Sequence, residues 1–128
     1  MNFNLNEDQL AYVELAQQFS VNELAPHAAR WDAEAIFPIS TLKQAGELGF
    51  CGLYSDPTIG GLGLSRLDTA LTFEQLAMGC TTTTAMLTIH NMATWMVSSY
   101  ATVATKTAYG PKLTRGELLA SYCLTEPN

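Results

Sequence analysis

The sequence predicts an all-α domain followed by a single strand-like segment. Three observations carry that fold class. Apolar residues recur at helical spacing behind Asn6, which forms a capping-box pattern with Gln9. Residues 75–105 contain no Asp, Glu, Lys or Arg, and their large apolar side chains go right around a helix. The one strong strand candidate, residues 118–124 (LLASYCL), comes at the end of the 128-residue chain.

The elements follow in order. Glu7 and Asp8 suit the positive end of a first helix, and Tyr12, Leu15, Ala16 and Phe19 make its apolar face. That helix is expected to run to Leu24 and stop near Pro26. A short second helix is expected over 27–35. Pro38 opens a third, with Leu42 and Ala45 inward and Gly49 at its end. Residues 51–64 (CGLYSDPTIGGLGL) read as a glycine-punctuated loop. Ser65 and Asp68 form the next capping box, ahead of a helix with a wide apolar face. A long helix over 82–100 is expected to be buried on nearly every side, partly by cover from outside this chain. Gly110-Pro111 should end one more short helix.

Composition narrows the function classes. Hydrophobic residues make up 48% and charged residues 14%, against about 25% charged in an ordinary globular chain. Disorder is excluded, and a domain so poor in charge calls for a partner surface. The net charge of -6 argues against nucleic acid and against an anionic membrane surface. The uncharged stretch carries Thr81, Thr82, Thr83, Thr84, Thr88, Ser98 and Ser99, too polar for a membrane span. Cys51, Cys80 and Cys123 are odd in number and widely spaced, which favours a reducing compartment. The start, MNFNLNEDQL, has neither a secretory nor a presequence pattern, so a cytoplasmic location is expected.

Spacing alone supplies no catalytic set. The Gly60–Gly63 run lacks the pattern of a dinucleotide or phosphate loop and reads as a tight turn packed on a neighbour. His27 and His90 stand far apart, without a second ligand at helical spacing, so no metal site is expected. Cys80 and Cys123 have no adjacent base, and no Ser lies in a nucleophile elbow. His90 reads as a hydrogen-bonded core or pocket-wall residue.

The last residues carry a resemblance. Tyr122-Cys123-Leu124-Thr125-Glu126-Pro127 resembles the flavin-binding signature of the acyl-CoA dehydrogenases. Leu48-Gly49-Phe50 and Gly60-Gly61-Leu62-Gly63-Leu64-Ser65 are similar to the end of that family's third helix and to its glycine loop. Ser65-Arg66-Leu67-Asp68-Thr69, Gly79-Cys80-Thr81 and Ile89-His90-Asn91-Met92 resemble its short and branched-chain, isobutyryl-CoA-like members.

The resemblance implies the N-terminal helical domain of that fold over 1–117. It implies the opening strand of a truncated middle β-domain over 118–128. It implies FAD as cofactor, with Tyr122, Cys123, Leu124 and Thr125 along the flavin. Thr84, Thr88 and Met92 fall where the family lines the acyl end of its pocket. The implied reaction is α,β-dehydrogenation of an acyl-CoA, with electrons passed to an electron-transferring flavoprotein and a homo-oligomer as the complete enzyme. No catalytic residue is assigned within the chain. The base is a glutamate of the C-terminal domain, and none of Glu7, Glu14, Glu23, Glu34, Glu47, Glu74, Glu117 or Glu126 matches it. Asn128 stands where the family has glycine. The isolated chain is therefore expected to be inactive. Two other readings stand beside this one: a non-catalytic helical interaction module, and a bundle that binds an acyl chain without redox chemistry.

Overall fold

The computed structural model of the chain describes residues 4–127. The departure noted at Asn128 lies outside the described residues. Within them six α-helices form: α1 (Glu7–Phe19), α2 (Ala25–Ala33), α3 (Ile39–Glu47), α4 (Arg66–Gly79), α5 (Thr81–Tyr100) and α6 (Val103–Thr114).

The capping box at the start of α1 is complete. Asn6 Oδ1 accepts the Gln9 amide at 2.8 Å, and Gln9 Oε1 accepts the Asn6 amide at 3.1 Å. Gln9 Nε2 also donates to Asp68 Oδ1 at 2.8 Å, which ties the start of α1 to the first turn of α4. At the far end Pro26 does not stop the helix as expected. Ser20–Leu24 widens into a π-helical turn, in which the Ala25 amide donates to the Ser20 carbonyl. A proline ring collides with the carbonyl four residues back in a regular helix. The wider turn moves that carbonyl aside, so Pro26 enters the first turn of α2.

The left-handed Ala35, at φ +52°, ends α2 two residues before the expected boundary. Ile36 N then donates to Trp31 O at 2.9 Å, closing the helix end. In the glycine loop, a Cβ on Gly61 would overlap the Ser55 carbonyl, so the tight packing expected there is present. The Leu62 and Leu64 amides donate to Gly52 O and Leu53 O at 2.9 and 2.8 Å.

Ser65 caps α4 by accepting the Asp68 amide and donating its hydroxyl to Asp68 Oδ2 at 2.6 Å. The next residue, Arg66, lays its guanidinium 3.7 Å from the centre of the Tyr54 ring and 5.0 Å from that of Trp95. Pro111 sits inside α6 rather than ending it. Tertiary contacts hold the last turn: Gly110 packs on Ile59, and Thr114 Oγ1 donates to Ile59 O at 3.0 Å.

Helix α1 packs along α4, α4 on α5, and α5 on α6. Phe19, Leu24, Leu42, Phe50, Leu76 and Leu87 are buried at the centre, with Phe19 and Phe50 edge to face at 5.6 Å. The inner side of α5 is buried within the chain, while Met86 and Met96 remain 38% and 41% exposed, so this chain by itself covers only part of the helix. The strand expected at 118–124 is not formed. Among the described residues there is no β-strand, and 119–127 run as irregular chain. A strand needs a neighbour to complete its ladder, and none is present.

Candidate functional site

Helix α5 carries the first group of expected site residues. Its N-cap is Cys80, whose sulfur accepts the Thr83 amide at 3.5 Å. Thr84, Thr88 and Met92 lie on successive turns of one face. Thr84 is buried, while Thr88 and Met92 are half-buried. The Thr84 hydroxyl donates to Cys80 O at 2.9 Å, and that of Thr88 to Ala85 O at 2.7 Å. Both hydroxyl protons are thus used within the helix. What the face offers a ligand is chiefly methyl groups and a thioether, which suits an apolar chain.

The buried face of α5, which Thr84 borders, is unusual because it turns polar residues into the protein. Asn91 is fully buried and its amide is satisfied at every point. It accepts Leu53 N at 2.8 Å and donates to Phe50 O at 2.7 Å and Leu87 O at 2.9 Å. His90 is buried beside it. Its Nε2 lies 3.0 Å from Leu113 O, and its Nδ1 accepts the Ala120 amide at 3.0 Å. Burial in an apolar setting holds its pKa below the usual histidine value. Sequence reasoning placed His90 in the core or a pocket wall, but it missed the partners of both residues. The available signal was a His-Asn pair inside a helix with no charge.

The second group lies just beyond Ala120. Tyr122 is half-buried, and Cys123, Leu124 and Thr125 are exposed, Leu124 by 79%. Among the described residues, the amides of 122–125 have no backbone partner. This irregular run presents free amides, a threonine hydroxyl and the side chains of Tyr122 and Leu124. The two groups are joined through one residue: His90 belongs to α5 and bonds to Ala120.

A separate cleft of about 380 Å³ opens between α2, the 35–38 turn and the start of α5. Trp31, Phe37, Leu42, Thr83 and Met86 are among its walls, and none of Thr84, Thr88 or Met92 is. Among the described residues, no three His, Cys, Asp or Glu side chains come together as a metal site. None of the helices so described is long and apolar enough to cross a membrane. Cys51 is buried, and its thiol is pushed up to about 12 by that burial, while Cys123 is exposed.

Comparison with known proteins adds a family. Residues 6–117 match the acyl-CoA dehydrogenase N-terminal domain. Over 126 residues, 98% of this chain, the sequence is 44% identical to isobutyryl-CoA dehydrogenase, mitochondrial, of Bos taurus. The chain spans 30% of that relative's length. A solved glutaryl-coenzyme A dehydrogenase in complex with glutaryl-CoA superimposes with a TM-score of 0.91 at 29% identity, covering all of this chain and 33% of that one. An FAD complex of PigA superimposes with a TM-score of 0.86 at 28% identity, covering 93% of this chain and 32% of its own.

Proposed function

This chain belongs to the acyl-CoA dehydrogenase family, matching its N-terminal domain, and we propose that it works as the helical part of an FAD-dependent enzyme for short, branched acyl-CoA thioesters. The observation that carries this reading is the 44% identity to an isobutyryl-CoA dehydrogenase over nearly the whole chain. In this reading 1–117 is the helical domain, and 118–128 becomes a strand when the β-domain supplies its neighbour.

The chemistry FAD supplies when bound is acceptance of the β-hydrogen as hydride. This chain's residues position and shield. The free amides of 122–125 and the Thr125 hydroxyl hold the polar edge of the ring system. Leu124 and Tyr122 keep water from it, and Cys123 lies in the same run. Thr84, Thr88 and Met92 wall the acyl chain, and their closed hydroxyls leave no donor to attract water. Removal of the α-proton falls to a glutamate outside this chain, so the 128-residue chain alone does not turn over. Electrons leave through an electron-transferring flavoprotein, and the complete enzyme is a homo-oligomer. The free cysteines support a reducing compartment, and the setting proposed is the cytoplasm. Cell fractionation tests that setting against the mitochondrial location in the bovine relative's name.

The test is an FAD titration of the purified chain, followed by visible absorbance and by alkylation of Cys123. Saturable binding that slows alkylation of Cys123 would support the placing of 122–125 on the flavin, and no binding would mean that the flavin site forms only in the complete enzyme. Binding that leaves Cys123 equally reactive would remove 122–125 from the flavin site. A second reading, an acyl-binding bundle without redox chemistry, draws support from the cleft beside Trp31 and Phe37. Isobutyryl-CoA binding in the absence of FAD, lost on Phe37→Ser but not on Met92→Ala, would favour it.

A further inference from the structure

We propose that His90 is a positioning residue: a neutral imidazole, protonated at Nε2, that clamps Ala120 and so sets where residues 122–125 lie against α5. The argument starts from donors and acceptors. The Ala120 amide can only donate, so Nδ1, 3.0 Å away, must offer a lone pair. The Leu113 carbonyl can only accept, so Nε2, 3.0 Å away, must carry the proton. Both contacts demand the same tautomer. The other neutral tautomer sets N–H against N–H at one end and lone pair against lone pair at the other. The imidazolium keeps the Leu113 bond but turns a second donor on Ala120.

The surroundings hold the ring in that state. Thr94 Oγ1 lies 3.3 Å from Nε2 and gives its own proton to the His90 carbonyl at 2.8 Å. Helix α5 has no charged side chain to offer. The charged residues of α4 and α6, the helices packed on α5, are Arg66, Asp68, Glu74, Lys106 and Lys112, and those of the segment after α6 are Arg115, Glu117 and Glu126. Arg115 and Glu117 pair with each other at 2.7 Å, and the imidazole nitrogens bond instead to Leu113 O and Ala120 N.

The clamp sits at a decisive point of the chain. The Leu118 amide still bonds back to Lys112 O at 3.2 Å. Ala120 is then the last amide of the segment held by the helices among the described residues. Two residues later comes Tyr122. The place of 122–125 relative to Thr84, Thr88 and Met92 therefore depends on one proton on one ring. The consequence for a flavin rests on the reading proposed above, whereas the clamp does not.

The test needs no flavin, so its failure is separate from failure of that reading. Imidazole nitrogen resonances and amide exchange are measured by NMR on the 128-residue chain at pH 7.5. His90 is expected to show the Nε2–H tautomer, with Ala120 exchanging at least tenfold more slowly than Ser121. The carboxamide of His90→Asn reaches the place of Nδ1 and should retain most of that protection. His90→Gln reaches only the place of Nε2 and should abolish it, with helix content by circular dichroism unchanged. An Nδ1–H tautomer in the unaltered chain overturns the proposal. So does an Ala120 amide that exchanges as fast as Ser121, or one equally protected in His90→Gln.

Discussion

Asn91 Oδ1 accepts the backbone amide of Leu53 across 38 residues of sequence, at 2.8 Å and out of reach of solvent. The same carboxamide donates to Phe50 O. One polar side chain thus pins the turn after α3 to the middle of α5. Removing it strands a buried donor and a buried acceptor, each costing about 1–3 kcal/mol. Asn91→Ala is expected to lose about 3 kcal/mol of stability by urea denaturation. A loss under about 1 kcal/mol would mean that water replaces the carboxamide.

Stability should also depend on pH through His90. Burial lowers its pKa in the folded chain below the ordinary 6.5. Below that value the unfolded chain binds a proton that the folded chain refuses, so stability falls as pH falls. The slope is at most about 1.4 kcal/mol per pH unit, from the ordinary value down to the folded one. Urea midpoints at pH 7.5, 6.5 and 5.5 measure it. His90→Asn should remove this component, and an unchanged slope in that variant would assign the pH dependence to another group.

Ala35 occupies left-handed backbone at φ +52°, where an L side chain costs about 1–2 kcal/mol. Ala35→Gly relieves that cost while giving back part of it as unfolded-chain entropy. A gain of about 0.5–1 kcal/mol is expected. A rise in melting temperature with unchanged circular dichroism would agree, and a fall would mean that the methyl group matters to the cleft it lines.

Gly46 reverses a general rule. Inside a helix, Ala is favoured over Gly by about 1 kcal/mol. Here a Cβ would overlap the carbonyl of Arg115, backbone that cannot swing aside. Gly46→Ala is expected to cost about 3 kcal/mol, by pushing α3 away from the turn after α6. A neutral result in urea denaturation would mean that this turn yields freely.

The thiols should separate by reactivity. Cys51 is buried with its thiol held near 12, Cys80 is buried at the cap of α5, and Cys123 is exposed. With a chromogenic disulfide reagent at pH 8, one thiol should react quickly and two only after denaturant is added. The Cys123→Ser variant should lose the fast phase. Its persistence would locate the reactive thiol elsewhere.

Much of this was legible in the sequence. The capping box at Asn6, the N-cap at Ser65 (where Asp68 takes the hydroxyl rather than the backbone amide that a full box needs), the burial of Leu42 and Ala45, and the length of α5 follow from local pattern. Such features depend on residues within a turn or two of one another, which a linear reading can see. The family likeness was legible too, because a run such as Tyr122-Cys123-Leu124-Thr125 keeps its order whatever it touches.

The local stop signals misled at two prolines. Pro26 and Pro111 read as ends, yet both lie inside helices. A π-turn makes room for the first, and packing of Gly110 and Thr114 on Ile59 holds the turn around the second. Those forces come from distant chain and leave no local trace.

The sequence by itself determined which segments are helical, which residues are apolar, and which family the chain resembles. Tertiary structure alone decided which distant backbone groups His90 and Asn91 bond, and that Ala120 hangs from an imidazole. The physical reason is that a buried donor or acceptor is set by what lies opposite it in space. Residues 118–124 mark the same boundary from the other side, because β-propensity becomes a strand only when a neighbour completes its ladder.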